Sequence, residues 1–304
     1  MTEEIVVPSE LAGARLDRCL ALLAGRSRSE AAALIEAGAV HLDGVPATLR
    51  RRRVAAGQRL SLAEPPAPRR AACAPAPVDY RVVYEDEAII VVDKPAGVVV
   101  HPGRGHDDDT LAAALLAAYP ELAGVGEPGR NGIVHRLDKD TSGLLAVART
   151  EQARAALARQ LAERSMGRTY RALVLGTMAA DAGVVEAPIG RSLASRTRMA
   201  VRVDGRPART RYEVLARYRW PVDATELHVE LETGRTHQIR VHLAAISHPV
   251  AGDASYGGRS LALGLRRPFL HAERLRVAHP TSGAPLELTS PLPTDLAAVL
   301  GSCS

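Results

Sequence analysis

With 304 residues the chain is long enough to bury a sizeable core, and it carries a formal net charge of +5. It has no apolar run near the length that spans a bilayer, Leu111 to Ala118 being among the longest. Its three cysteines, Cys19, Cys73 and Cys303, form neither a metal-type pair nor a disulfide framework, and the opening MTEEIVVPSE lacks the basic-then-apolar order of an export signal. These features predict a cytoplasmic protein without a membrane partner.

The charge is unevenly spread. From Gly13 to Ala72 there are 11 arginines, no lysine and 5 acidic residues, so the cationic excess sits in the first quarter of the chain. A polyanionic partner is the natural reading. One Phe, one Trp and seven Tyr argue against a sheet that stacks single-stranded bases on aromatic rings.

Leu16, Cys19, Leu20 and Leu23 recur at helical spacing. A second helix is expected over 30–37, capped by Ser29 and stopped by Gly38. Val40 to Leu42 reads as a strand, with Asp43-Gly44 turning tightly into Val45. Four arginines, Arg50 to Arg53, follow, and Gln58 to Leu62 reads as another strand. The segment 65–77 has five prolines in thirteen residues and is expected to be an extended linker. The predicted division is therefore 13–64, a linker at 65–77, and 78–304.

Beyond the linker, strands are expected at Arg81–Tyr84 and Ala88–Val92, with a helix at Leu111–Tyr119. Leu144–Ala148 reads as a strand, after which Thr150 caps a helix to about Arg164. Tyr170–Leu175, Arg209–Leu215 and Glu226–Glu232 are β-like, and Thr236 is expected to cap a helix through Ala245. Strands outnumber helices without regular βαβ alternation, which predicts an α+β domain on a mainly antiparallel mixed sheet.

Three constellations carry chemistry. NGIVHRLDKDTSGLL (131–145) puts Asp138 among His135, Arg136, Lys139, Thr141 and Ser142, between apolar runs that would hold the carboxylate at the mouth of a core. From residue types alone, four readings stand: a turn fixed by ion pairs, a phosphorylated aspartate, a metal site of His135, Asp138 and Asp140, or a catalytic carboxylate. The phosphoaspartate loop is wrong in its following residues, and the metal reading lacks a recognised ligand spacing. LETGRTHQIRVHL (231–243) brings together Arg235, His237, Arg240 and His242, but Gln238 stands where a zinc helix needs its acid. At helical spacing, Arg240 and Leu243 share a face. RTYRALV (168–174) is a strand with one tyrosine, Tyr170.

These motifs resemble those of the RluA/RluD-type pseudouridine synthases, nearest to the RluD-like ribosomal branch. VVDKPAGVVVHPG (91–103), HPVAGDASYGG (248–258) and FLHAERLRVAHPTSG (269–283) extend the likeness over nearly all of 78–290. ARLDRCL, SRSEAAALIEAGAVHLDG and VAAGQRLSL resemble the S4-type RNA-binding domain. Pro268 departs from the family, which often has Gln there, and its missing N–H puts a contact to RNA or to the sheet edge in question.

The resemblance implies an isomerase of RNA uridines that needs neither cofactor nor metal; a monomer is taken as the default state. Large-subunit (23S) ribosomal RNA is the expected substrate, with transfer RNA and a non-catalytic RNA-binding or ribosome-assembly role as alternatives. It implies Asp138 as the catalytic carboxylate, acting at the ribose as nucleophile or as base. Arg240 would pair with it, and Tyr170 would lie against the base and relay a proton. His135, Arg136 and Arg235 are expected at the substrate. Arg50, Arg51, Arg52 and Arg53, with arginines of 191–211, are expected on RNA phosphates.

Overall fold

The computed structural model describes residues 3–25, 28–62, 78–101, 109–127, 129–195 and 197–304. The linker expected at 65–77 lies outside them, as do Pro102, Gly103 and Arg196. The chain divides into two compact units, Met1–Ala74 and Pro75–Ser304.

The first unit contains β1 (Glu3–Val6), α1 (Leu16–Leu23), α2 (Arg28–Glu36), β2 (Val40–Leu42), β3 (Val45–Pro46) and β4 (Arg59–Leu62). Its four-stranded sheet runs β1-β4-β2-β3. Leu16, Cys19 and Leu20 of α1 pack with Ala31 and Ile35 of α2 against Val40, Leu42 and Leu60. The hairpin turn works as its residues require: Asp43 and Gly44 both have positive φ, at 54° and 77°. Asp43 also accepts hydrogen bonds from Arg59 N and Gln58 Nε2, at 2.8 Å each, tying the turn to β4. Helix α2 opens at Arg28, so Ser29 lies within it and not at its cap; the Ser29 side chain is outside the described atoms. Strand β1 was not foreseen; it is stabilised by pairing with β4, a partner more than fifty residues away.

The second unit opens with β5 (Arg81–Glu85), β6 (Ile89–Lys94), α3 (Leu111–Ala118), β7 (Ser142–Ala148), α4 (Glu151–Ala162) and β8 (Gly167–Leu175). It continues through β9 (Ala182–Glu186), β10 (Ile189–Arg191), β11 (Met199–Val201), β12 (Arg209–Tyr218), β13 (Ala224–Leu231) and α5 (Gln238–Ala245). It closes with β14 (Leu270–Ala278), β15 (Pro285–Thr289) and α6 (Thr294–Gly301). The large sheet runs β5-β6-β7-β14-β8-β13-β12-β9, with β15 also on β14. Only the β7–β14 pairing is parallel among the described strands, and β10–β11 forms a separate hairpin. The expected α+β class and mainly antiparallel sheet are therefore as found.

Strand β7 is buried along its whole length because both its faces are covered. Leu145 and Val147 join Tyr170, Ala172, Leu227, Ile239 and Leu243 on one side. Leu144, Ala146 and Ala148 meet Ala153 and Leu157 of α4 on the other. Thr150 caps α4 through its side chain as expected, 3.1 Å from Ala153 N, and Arg164, at φ 61°, stands just past the helix end. Pro268 removes no ladder bond, since β14 begins at Leu270, whose N–H donates to the Pro268 carbonyl.

The second residue of β7, Gly143, has to be glycine. Its φ is 114°, and an added Cβ would lie 2.3 Å from the Ala272 carbonyl oxygen, where β7 and β14 meet in parallel. Gly143→Ala is expected to lower stability by about 3 kcal/mol, read as a shift in the urea midpoint.

Candidate active site

Asp138 sits on the loop that leads into β7. Gly132 anchors its start: the Ala148 N–H donates to the Gly132 carbonyl, and a Cβ at 132 would meet Ala148 O at 2.0 Å. Leu137 inserts into the main core, and Thr141 N donates to the Asp138 carbonyl at 3.1 Å, so the aspartate is clamped from both sides. Beneath the loop lies Lys94, fully buried, whose Nζ donates to the carbonyls of Pro95, Val98 and Lys139 at 2.8, 2.9 and 3.1 Å. Burial pulls its amine down to about 7, against the carboxylates of Asp140 and Asp138.

Arg240 arrives on α5. The expected cap at Thr236 is corrected: the N-cap position is His237, which adopts a left-handed φ of 56° and makes no side-chain cap bond. Gln238 organises this turn instead. Its Oε1 accepts from Thr233 Oγ1 and Arg235 N, and its Nε2 donates to Arg209 O and Thr210 Oγ1, so the amide is fully engaged. Arg240 and Leu243 are both buried, Leu243 within the main apolar cluster and Arg240 at the recess that Asp138 lines.

The Arg240 guanidinium donates from Nη1 to Asp138 Oδ2 at 3.1 Å, and from Nε and Nη2 to Asp253 at 2.6 and 2.9 Å. Burial works against its charge, yet Asp253 and Asp138 together hold it above its usual range. Asp253, 1% exposed, also accepts N–H bonds from Ser255 and Tyr256. The Tyr256 ring lies under the guanidinium, 5.0 Å from centroid to Cζ.

Tyr170 and Asp138 line two adjoining spaces, a recess of about 40 Å³ that includes Arg240 and a basin of about 750 Å³. Arg136 and Arg235 line both. Burial pushes the Tyr170 phenol up to about 12; Arg168 opposes the shift and Asp138 adds to it. Arg168, 8% exposed, lines the basin and donates to Leu231 O at 3.3 Å, while its Nε finds no partner.

His135, expected at the substrate, lines the basin together with Asp138 and Tyr170. Its Nε2 accepts from the Ala146 N–H at 3.0 Å, and burial, reinforced by Arg168, drives its pKa down to about 3. Arg50 to Arg53 lie exposed on the other unit, where Arg53 donates to the Gly13 carbonyl at 2.6 Å. Asp253, Tyr256, Gln238, Lys94 and Arg168 were given no role from sequence. Only Lys94, one of two lysines in the chain, stood out by composition. The pairing of Asp253 with Arg240 had no local signal.

Residues 88–245 match the RNA pseudouridylate synthase family. The chain belongs to that family. Residues 14–60 match the S4 domain. The ribosomal large subunit pseudouridine synthase D of Nitrosomonas europaea is 48% identical, covering 98% of this chain and 87% of that protein. An uncharacterized RNA pseudouridine synthase of Chloroflexus aurantiacus is 49% identical over 97% of this chain and 92% of its own. Human RNA pseudouridylate synthase domain containing 1 superposes with a TM-score of 0.60 at 29% identity, covering 76% of this chain and 90% of that one. The chain is thus an RNA pseudouridine synthase, an isomerase. No helix among the described residues is long and apolar enough to cross a membrane.

The neutral ring of His135 has a consequence for acid stability. Between pH 6.5 and about 3 the unfolded chain binds a proton at residue 135 that the folded chain refuses, so stability falls as pH drops through this window. Going from pH 7 to 4.5 is expected to destabilise the wild type by about 2 kcal/mol more than His135→Gln, measured by urea unfolding.

Proposed function

We propose that this enzyme, in the cytoplasm, converts specific uridines of large-subunit ribosomal RNA to pseudouridine, with Asp138 as the group that acts at the ribose. The observation that carries the reading is the Asp138–Arg240 pair in a recess it shares with Tyr170. The substrate class is supported by the name of the Nitrosomonas relative, a ribosomal large subunit pseudouridine synthase, and by the S4 match.

The reaction breaks the C1′–N1 bond, turns the uracil and joins its C5 to C1′, after which C5 loses its proton and N1 gains one, so that atoms balance. Only one N–H of Arg240 is directed at Asp138, because the other edge of the guanidinium is held by Asp253. The carboxylate is thereby oriented without being enclosed. Tyr170 offers an apolar face for the uracil. Its phenol is protonated at neutral pH, so it accepts the C5 proton only while passing on its own, as a relay.

Extruding the target base costs roughly a few kcal/mol, which phosphate contacts offset. Arg136, Arg168 and Arg235 around the basin, Arg50 to Arg53 on the S4 unit, and arginines of the β10–β11 hairpin such as Arg198 are suited to supply them. His135, neutral and bound to β7, fits a role as a wall of the basin better than one as a phosphate ligand.

In a strain lacking the gene, pseudouridines missing from large-subunit ribosomal RNA are expected to return with the wild type and not with Asp138→Asn. An unchanged map would redirect the search to transfer RNA. Replacing Arg51 and Arg52 together by Glu is expected to weaken RNA binding about tenfold or more and to flatten its salt dependence, measured by filter binding across a salt titration.

A further inference from the structure

Tyr256 makes three contacts that no other side chain combines. Its hydroxyl accepts a hydrogen bond from the Met199 N–H of β11 at 2.9 Å. The same oxygen lies 2.8 Å from His237 Nδ1, the residue at the head of α5. Its ring supports the Arg240 guanidinium from below at 5.0 Å. The hairpin also packs on α5 through Ile189, Met199 and Val241, with Tyr256 in the same cluster.

The direction of these bonds matters. Met199 stands opposite Arg191 in the β10–β11 pairing, and its N–H, donating to Tyr256, points away from its partner strand. Beside its apolar packing on α5, the hairpin is thus joined to Tyr256 through this backbone donor. The phenol accepts that bond and has its own proton left for His237 Nδ1, whose ring burial keeps neutral. A shift of β11 moves an oxygen that is rigidly joined to a ring carrying Arg240. Sub-ångström errors in such a constellation are enough to slow chemistry.

We propose that Tyr256 is a positioning residue that couples the arginine-bearing β10–β11 hairpin to the Arg240–Asp138 pair, so that RNA held on the hairpin sets the alignment of the carboxylate. The coupling rests on the reading, given above, that this hairpin meets RNA. Tyr256 itself touches no reacting atom.

The test is a double-mutant cycle read by single-turnover rate at saturating ribosomal RNA fragment, with Kd measured separately. Tyr256→Phe keeps the ring beneath Arg240 and deletes the oxygen. It is expected to lower the rate about tenfold while Kd stays within about twofold. Arg198→Ala in the hairpin is expected to lower the rate and weaken binding in the wild type, yet to leave the rate of Tyr256→Phe where it was. Met199→Pro removes the same hydrogen bond from the hairpin side and is expected to reproduce the Tyr256→Phe rate, which guards against a fold defect in either variant.

Rate losses that multiply independently, with binding weakened by Arg198→Ala, would overturn the coupling and leave the hairpin contact standing. A wild-type rate for Tyr256→Phe would overturn it equally. An Arg198→Ala enzyme unaltered in both rate and Kd would sink the hairpin contact and the coupling with it.

Discussion

Arg240 is buried between two carboxylates that reach it from different loops, and a guanidinium so placed dictates the position of whatever it touches. Removing one partner of a buried pair leaves an uncompensated charge, typically a loss of about 3–5 kcal/mol. The division of its donors is unequal. Asp253 takes two, in the fork geometry that fixes orientation as well as distance, and Asp138 receives one. Asp253 is in turn held by N–H groups of its own loop, so the chain of constraint runs from the 253–256 turn through Arg240 to Asp138.

That chain works only because the surrounding sheet is rigid. Tyr170, Ile239, Leu243 and Leu137 belong to one apolar cluster, which links the strand bearing the phenol, the helix bearing the guanidinium and the loop bearing the aspartate. Interiors packed to crystal-like density transmit displacement. Gln238 adds a polar counterpart, joining the α5 turn to β12 with four satisfied bonds.

Much of this was legible in the sequence, and the exceptions have physical reasons. Helical spacing located α1, the Thr150 cap located α4, and continuous apolar runs located β7 and β8, because each of these signals lies within its own segment. Such signals missed β1 and β14, which exist through pairing with distant strands. The meeting of Asp138 with Arg240 followed from the family resemblance, since 102 residues separate them. Asp253 looked like an ordinary turn acid between glycines, and nothing local distinguishes it from one. The cap at Thr236 failed because side-chain capping rules assume an extended residue before the helix, whereas His237 is left-handed and Gln238 does the binding. The hydrogen bond that ties His135 to β7 had no local signal, because it exists only once the strand is placed.

Lys94 places a buried amine, pulled down to about 7, beneath the site. Its Nζ donates to three backbone carbonyls and lies beneath the loop that carries Asp138. Exposed arginines feel the ionic atmosphere, whose reach at physiological salt is about 8 Å, but a sealed amine is shielded from it. The protein therefore separates two electrostatic tasks by depth. Mobile counterions modulate the attraction that gathers a polyanion at the surface, while the groups buried beneath the carboxylate lie where those counterions reach least.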